Sequence, residues 1–376
     1  MKKRVAILFG GVSAEHEVSI ITGLQVLEQI DRDKYDPLAI YLNKEGLFRY
    51  YPSIKSRKGF SPKGGEIINF AKDEEGVYLV ESKPFAKKKR IDVFYLAFHG
   101  GNGESGQFQG FAEVLGVAYT SPSAESSSIC MNKALTKEVL HNNNISSVES
   151  VTVGSDQIKN GELNKLVASI QEQINFPIII KPVHLGSSIG INIAKTKVEL
   201  KKYLLEAAFI DSEILIEKLL DDFTEYNCAV RLIDGKLEAS EVEKPIHKDE
   251  ILSFADKYQR GGKKQSGMAS LNRELPANIT ESFRQKIQEM AKNVFVTCRC
   301  KGMVRIDFMA TRLGKIYVTE INPIPGSMAF YLWEATGISF TQQITDLVEQ
   351  AIKDNELVKS RKLDYESDIV EKFVNS

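Results

Sequence analysis

Met303-Val304-Arg305-Ile306-Asp307-Phe308, a turn near Leu313-Gly314, and then Tyr317-Val318-Thr319-Glu320-Ile321-Asn322 read as a β-hairpin with one polar face. Side chains alternate along a strand, so Arg305 and Asp307 point one way, and Glu320 and Asn322 share a face on the returning strand. A tight turn centred on Leu313-Gly314 places Asp307 opposite Glu320. Two carboxylates and an amide oxygen then converge on one side of a sheet. Like charges directly opposite each other are destabilising unless neutralised. A divalent cation neutralises them, and hard oxygen donors suit Mg²⁺ or Mn²⁺. Either carboxylate alone reads as a solvated polar face; the full set, followed by Pro323-Ile324-Pro325-Gly326, points to metal.

Around this hairpin the chain has the make-up of an ordinary multi-domain globular protein. Its 376 residues suggest two or three domains rather than one core. With 49 basic and 50 acidic residues, bulk charge steers it toward neither nucleic acid nor an anionic membrane. No apolar run is long enough to span a bilayer. Met1-Lys2-Lys3-Arg4 before Val5–Phe9 has the outline of a signal peptide, but the apolar run is too short and ends in Gly10-Gly11, so it reads as a buried first strand. Cys130, Cys228, Cys298 and Cys300 lack a second metal-ligand pair and are expected as reduced thiols in a cytoplasmic protein.

The pattern along the chain gives three units: 1–125, 126–220 and 221–376. In the first, a strand at Val5–Phe9, a helix near Glu17–Gln29, a strand at Pro37–Leu42, a strongly apolar strand at Ile91–Phe98, a helix at Gln107–Leu115 and a strand at Val117–Tyr119 alternate. Such alternation implies an α/β unit with a mainly parallel sheet and ligands at the carboxyl ends of its strands. Residues 44–90 are polar and read as a small β insertion. The second unit carries the strand Phe176–Lys181, the loop Gly186–Gly190, a strand at Ile191–Ala194, a helix near Glu199–Ala208 and the strand Glu213–Glu217. The third looks antiparallel and holds the opening hairpin, so the chain as a whole is α/β, grading to α+β at its C-terminal end. The charged stretch after Ala351 reads as a frayed terminal helix.

Four segments carry further chemistry. Lys181-Pro182-Val183-His184-Leu185-Gly186-Ser187-Ser188-Ile189-Gly190 joins a lysine to a Gly/Ser loop between strands. Its glycines let backbone N–H groups approach an anion, its hydroxyls add donors and its lysine adds charge. It lacks the Gly-Lys-Ser/Thr order of a Walker loop. Gly10-Gly11-Val12-Ser13-Ala14-Glu15-His16 is a poor dinucleotide fingerprint, because Glu15 stands where phosphate would go; it reads as a helix cap or as a receiver for an ammonium. His99-Gly100-Gly101-Asn102-Gly103-Glu104 ends a buried strand, a usual place for a ligand loop, although His99 also reads as a structural histidine. Phe254–Gly267 is a basic, glycine-rich loop that reads as a solvated excursion or as a lid bringing charge over phosphates.

Taken in order, Gly10–Ser19, His99–Gln109, Met131-Asn132-Lys133, Lys181–Gly190, Glu217-Lys218, Lys257-Tyr258, Arg305–Phe308 and Glu320–Gly326 resemble the D-alanine–D-alanine ligases of the ATP-grasp superfamily. The resemblance covers roughly residues 4 to 350. It implies a three-domain ATP-grasp fold and an ATP-dependent carboxylate–amine ligase making a peptidoglycan precursor from two D-alanines through an acylphosphate. It further implies ATP and two Mg²⁺ or Mn²⁺ ions as cofactors, small amino-acid substrates and a homodimer.

Residue by residue, the resemblance implies that Lys133 and Lys181, with Ser187 and Ser188, bind the ATP phosphates. Glu217, Lys218 and Leu220 form the adenine hinge through backbone contacts, and Glu225 holds the ribose. Asp307, Glu320 and Asn322 hold the metals. Glu15 receives the first substrate's ammonium, with Ser187 and Tyr258 hydrogen-bonded to it, and Lys257 serves both ATP and substrate. Arg305 and the Gly326 N–H stabilise the developing oxyanion. His99, Ser327 and Tyr331 lie around the acceptor. Tyr331 stands where the family has a serine for the acceptor's carboxylate, and position 185 is Leu where an acidic residue is common. A different acceptor, such as D-serine or D-lactate, therefore stays open, as does a nucleotide-binding protein without catalysis. The Phe330–Trp333 run reads as pocket lining or helix core. An NAD enzyme built on Gly10-Gly11 leaves the C-terminal carboxylates unexplained.

Overall fold

From Val5 to Gly10 the first strand is buried without a break, which only a strand covered on both faces allows. In the computed structural model, which describes residues 2–83, 87–246, 272–361 and 367–375, eight strands make the first sheet. They are β1 (Lys3–Gly10), β2 (Tyr35–Leu42), β3 (Phe48–Tyr51), β4 (Glu66–Asp73), β5 (Gly76–Glu81), β6 (Lys88–Ile91), β7 (Val93–Leu96) and β8 (Ala118–Tyr119). Their order is β6-β5-β4-β3-β2-β1-β7-β8. The parallel part is confined to β2, β1, β7 and β8. The segment expected as a separate insertion instead extends this sheet by four antiparallel strands. It reads as polar because a strand such as β4, although paired on both sides, buries little but Ile68. Phe70 stitches the extension to the centre, with ring centroids 5.0 Å from Phe48 and 5.2 Å from Phe94.

The second sheet contains β9 (Ser150–Gly154), β10 (Ile178–Pro182), β11 (Asn192–Ala194) and β12 (Glu213–Lys218), all antiparallel in the order β11-β10-β12-β9. Helices Leu163–Gln173 and Lys197–Ala207 pack Val167, Ile170, Leu200 and Leu204 onto Ile178, Ile180, Ile214 and Ile216. Strand alternation leaves Lys181 and Glu217 on the polar side, away from that core.

The third unit begins with β13 (Phe223–Ile233) and β14 (Lys236–Ala239). β15 (Lys244–Pro245) and β16 (Arg273–Glu274) form a short ladder of their own. β17 (Met303–Thr311) and β18 (Ile316–Asn322) complete the main sheet in the order β14-β13-β17-β18. Helix Glu281–Thr297 covers one face with Ile287, Ala291, Val294 and Phe295, and Leu140 of the helix Lys133–Asn142 joins the same core.

In the β17–β18 hairpin Asp307 faces Glu320 and Arg305 faces Asn322, the pairing read from the sequence. The route differs. Near the turn Ala310 faces Ile316, and Thr311 N–H donates to the Lys315 carbonyl (3.0 Å), one residue out of that register. The register shifts at Asp307/Phe308, and Thr319 is the extra residue of a β-bulge. Its hydroxyl donates to the Asp307 carbonyl (3.0 Å), serving an acceptor at the point where the ladder is disrupted. Without the bulge a one-residue slip would turn Glu320 and Asn322 to the opposite face.

Beyond β18 the chain returns to the first sheet. Helices Phe330–Ala335 and Phe340–Lys359 place Leu332, Trp333, Phe340, Ile344, Leu347 and Val348 in one core with Val5–Phe9. Phe330 stacks on Phe340 with centroids 4.7 Å apart. Most of the aromatic run is therefore core, and the Tyr331 hydroxyl donates to Glu243. Trp333 is fully buried beneath the Arg231 guanidinium, 4.7 Å from its ring, which Glu238 (2.8 Å) and Asp346 (2.9 Å) hold in place. The helix expected to fray after Ala351 continues to Lys359. All four cysteines are free and buried, and Cys130 joins Cys298 and Cys300 in space, its sulfur 3.9 Å from that of Cys300. Trp333→Ala is expected to cost about 3–5 kcal/mol, measured by denaturant unfolding, because it opens a cavity where the two ends of the chain meet.

Candidate active site

Hydrogen bonds and an ion pair link the turn after β1, the loop after β7, the β10–β11 loop and the β17–β18 end of the third sheet. On the first sheet's side the Gly10–Glu15 turn leads into helix His16–Gln29, and Glu15 sits at its N-cap position. The Ser187 hydroxyl donates to the Glu15 carboxylate across 172 residues of sequence, so this expected link is present. The position leaves no room for side chains around it. A Cβ on Gly100 (φ +65°) or on Gly186 would stand 2.9 Å from Glu15 Oε2.

Behind Glu15 a hydrogen-bonded chain fixes the His99 tautomer. The Ile324 carbonyl can only accept, so His99 Nδ1 carries the proton and donates to it (2.8 Å). Nε2 then accepts from the Thr22 hydroxyl (2.7 Å), whose oxygen accepts from Ser327 N–H (3.0 Å). Burial pushes the His99 imidazolium pKa down to about 4, against the pull of the Ile324 carbonyl, so the ring is neutral. Both ring nitrogens and the Ser327 N–H are thus engaged within the protein, and Ser327 is buried. As the fold places them, these two residues shape the 324–327 turn. Glu104, which the sequence reading quoted without a role, takes the Ile324 N–H (2.9 Å) and the Gly100 N–H (2.6 Å).

On the second sheet's side Lys133 opens the helix Lys133–Asn142, and its ammonium reaches the Leu185 carbonyl (2.7 Å) and Glu320 (3.1 Å). Lys181 pairs with Glu217, as does Lys137 (2.7 Å). Burial alone would raise the Glu217 carboxyl, but the Lys181 and Lys137 charges outweigh it and bring it down to about 2. Glu217 was expected to act through its backbone; here its backbone lies in a central strand and its side chain binds the two lysines. Lys137 was missed, although it stands four residues after Lys133 and so on the same helix face. Ser187 and Ser188 adopt left-handed backbone angles (φ +53° and +59°) in the loop. Lys218 is exposed at the end of β12, Leu220 is half-buried just beyond it, and half-buried Glu225 lies on β13. Lys257 and Tyr258 lie outside the described residues.

At the hairpin Arg305 forks onto Asp307 with bonds of 2.7 and 2.8 Å, and the Asn322 amide donates to the same carboxylate (3.1 Å). Burial works against the Arg305 charge, yet Asp307 beside it holds the pKa well above the ordinary value. Half-buried Gly326 begins the 3₁₀ turn Gly326–Ala329. Among the described residues no three His, Cys, Asp or Glu side chains cluster as a metal cage. Two facing carboxylates and an amide nonetheless fit Mg²⁺, which takes few protein ligands and completes its shell with water and phosphate oxygens. Cationic partners on both carboxylates show that this face demands positive charge.

A Gly/Ser loop and two lysines facing a carboxylate-bearing hairpin define an ATP-grasp ligase. Comparison with known proteins makes the class specific. Residues 4–122 match the model "D-ala D-ala ligase N-terminus" and residues 122–349 match "D-ala D-ala ligase C-terminus". A D-alanine–D-alanine ligase of Thermosipho melanesiensis is 35% identical over 366 residues, covering 94% of this chain and 96% of the relative. The solved D-alanine–D-alanine ligase of Coxiella burnetii superposes with a TM-score of 0.80 at 26% identity, covering 95% of this chain and 96% of that one. The VanG D-Ala:D-Ser ligase of Enterococcus faecalis gives 0.78 at 27%, covering 93% and 100%. The chain belongs to the D-alanine–D-alanine ligase family and is an ATP-dependent enzyme.

Glu104 supplies a test of this architecture. Burial, with the Glu15 and Glu320 charges adding to it, pushes its carboxyl from 4.5 up to about 8, against the two N–H donors. An acid whose pKa rises on folding contributes its full stability below the unfolded value and loses it as pH climbs through the folded one. Glu104→Gln stays neutral, so its melting temperature is expected to gain on the parent's between about pH 5 and about pH 8. A difference that does not change with pH would contradict the buried acid.

Proposed function

We propose that this chain joins two D-alanines to D-alanyl-D-alanine for peptidoglycan precursor synthesis, with consumption of ATP. The observation that carries the reading is the chain of contacts from Glu15, held by Ser187, through Lys133 on the Leu185 carbonyl and Glu320 to the hairpin that bears the Arg305–Asp307 pair. A carboxylate is a poor electrophile toward an amine. Transfer of the γ-phosphoryl group to the first D-alanine's carboxylate gives an acylphosphate. The second D-alanine's amine attacks that carbonyl carbon, and the tetrahedral species expels phosphate to leave the peptide bond.

In this reading Glu15 receives the first ammonium and Ser187 fixes the carboxylate's direction. Lys133, Lys181, Ser187 and Ser188 take the phosphates, which then compete with Glu320 and Glu217 for the lysines. Glu217, Lys218 and Leu220 border the adenine, and Glu225 holds the ribose. Asp307, Glu320 and Asn322 hold Mg²⁺ or Mn²⁺, which when bound offsets charge on the phosphate oxygens. Arg305 and the Gly326 N–H stand where the oxyanion develops; losing one such donor costs about 3 kcal/mol. His99, neutral and buried, holds the turn beside the acceptor. Lys257 and Tyr258 keep the roles the resemblance gives them. A homodimer in the cytoplasm, with the units 1–125, 126–220 and 221–376, belongs to the same proposal. The family resemblance supports it, and among the described residues no helix is long and apolar enough to cross a membrane. D-serine as acceptor is the second reading, favoured by the near-equal likeness to the D-Ala:D-Ser ligase and by Tyr331 in the acceptor region.

ADP release with Mg²⁺-ATP, measured against D- and L-amino acids and hydroxy acids singly and in pairs with products weighed by mass spectrometry, tests the function. D-alanine alone is expected to give the dipeptide; turnover only with a second substrate would establish the other acceptor instead. Glu320→Gln is expected to lose about a hundredfold or more of its Mg²⁺-dependent turnover. Its melting temperature should stay near the parent's, because the carboxylate is one-third exposed. Normal turnover in this variant would remove Glu320 from the metal site.

A further inference from the structure

Three of the four cysteines meet where the helix Ala124–Met131 packs on the end of the helix Glu281–Thr297, and no step proposed above uses them. All three are buried. The Cys130 sulfur lies 3.9 Å from that of Cys300, and the Cys130 thiol is hydrogen-bonded with both Cys298 and Cys300. One turn earlier on the same helix, the Ser126 hydroxyl donates to the Cys298 carbonyl (2.8 Å) and lies 3.4 Å from the Cys300 sulfur. A spacing of four puts Ser126 and Cys130 on one helix face, turned toward the 298–300 segment.

That segment is fixed from the other side. Arg299 is left-handed (φ +53°), its N–H donates to the Val296 carbonyl (3.0 Å), and the Cys300 N–H donates to the Phe295 carbonyl (2.9 Å). These two bonds close the helix Glu281–Thr297 in a Schellman motif. The Cys300 sulfur is thus carried on a helix cap and the Cys130 sulfur on a helix. A disulfide's sulfurs lie about 2.05 Å apart, so the pair must close by about 1.9 Å from its 3.9 Å. Cys130 also lines the small cavity that Lys133 and Glu320 line, so a water-sized oxidant can approach it from that side.

What happens at Cys130 is transmitted to Lys133. The Thr136 hydroxyl donates to the Ile129 carbonyl (2.6 Å), and the Asn132 side chain caps the helix Lys133–Asn142 through the Leu135 N–H (2.8 Å). Drawing Cys130 toward Cys300 therefore pulls on the start of the helix that carries Lys133, whose ammonium rests on the Leu185 carbonyl and Glu320.

We propose that Cys130 and Cys300 form a reversible disulfide in the presence of hydrogen peroxide, and that this bond weakens ATP binding by displacing Lys133. One sulfur attacks the peroxide and gives a sulfenic acid and one water. The second sulfur displaces that hydroxyl, forms the S–S bond and releases another water. Two thiols thereby give up two electrons and two protons, and the peroxide is reduced to two waters. A dithiol reverses the bond by exchange. Formation of the bond depends on the thiol geometry alone; its effect on ATP rests on the place given to Lys133 in the reading above.

The test treats the protein with hydrogen peroxide, alkylates the remaining thiols, digests it without reductant and weighs the peptides. A linked Cys130–Cys300 peptide pair is expected, retained in Cys298→Ser and lost in Cys300→Ser or after dithiothreitol. By titration calorimetry the linked protein should bind ATP about tenfold more weakly, the loss of one charge-assisted hydrogen bond. Dithiothreitol should restore the affinity, and Cys130→Ala and Cys300→Ser should keep it through the same treatment. No Cys130–Cys300 peptide, or a link made by Cys298 instead, would overturn the proposal. Reduced Lys133→Ala separates the effect from the reading it rests on. Weakened ATP binding in that variant, with parental binding in the linked protein, would overturn the effect alone. Parental binding in Lys133→Ala would overturn the place given to Lys133 and, with it, the effect.

Discussion

Ile324 is held at both of its backbone groups by residues more than 200 positions away: its N–H by Glu104 and its carbonyl by His99. This clamp is the constraint on which the site depends. Ile324 lies two residues after Asn322 of the carboxylate-bearing hairpin and two before Gly326. Fixing it sets the distance between the carboxylates on β17–β18 and the Glu15 end of the first sheet. Neither clamp group can be a surface residue. Both are buried, so each bond is made in surroundings where an unpaired donor or acceptor would cost more than the bond itself contributes.

The clamp explains why the chain returns to its beginning. The C-terminal helices bury Leu332, Trp333 and Phe340 in the core of the first sheet, so the 324–327 turn is anchored on both sides. The β10–β11 loop reaches the same place by a different principle. It is held by Ser187 on Glu15 and by the Lys133 ammonium on the Leu185 carbonyl. A loop hydrogen-bonded to a carboxylate can respond to what that carboxylate binds. The Lys133–Glu320 and Lys181–Glu217 pairs follow the same logic, because each lysine rests on a carboxylate that a phosphate can replace.

Much of this was legible in the sequence. The Asp307–Glu320 pairing followed from a two-residue side-chain period and a Gly-containing turn. The strand at the start of the chain followed from its unbroken apolar run. The helix at Gln107–Leu115 was read with its correct bounds. What was hidden has a common cause. The antiparallel extension of the first sheet looked like a separate piece because strands such as β4 leave most of their side chains exposed and so read as polar. Thr319 gave no sign of a bulge, because nothing local distinguishes an extra residue from a regular one. Lys137 had a local signal, its spacing from Lys133, whereas Glu243 and Arg273 had none. They meet Tyr331 only because the residue before β15, β16 and the helix Phe330–Ala335 converge.

The sequence by itself determined the chemistry available: which oxygen donors, which lysines, which Gly/Ser loop, and the order of blocks that marks the family. These are local properties, carried by residue type and short spacing. Only the tertiary structure decided which of them act together. It made His99 a neutral clamp, set the Glu217 side chain as the counter-charge of two lysines, and placed a guanidinium over Tyr331. Those outcomes depend on burial and on contacts between residues tens to hundreds of positions apart. Such contacts are set by the packing of three sheets against one another and leave no periodic trace along the chain.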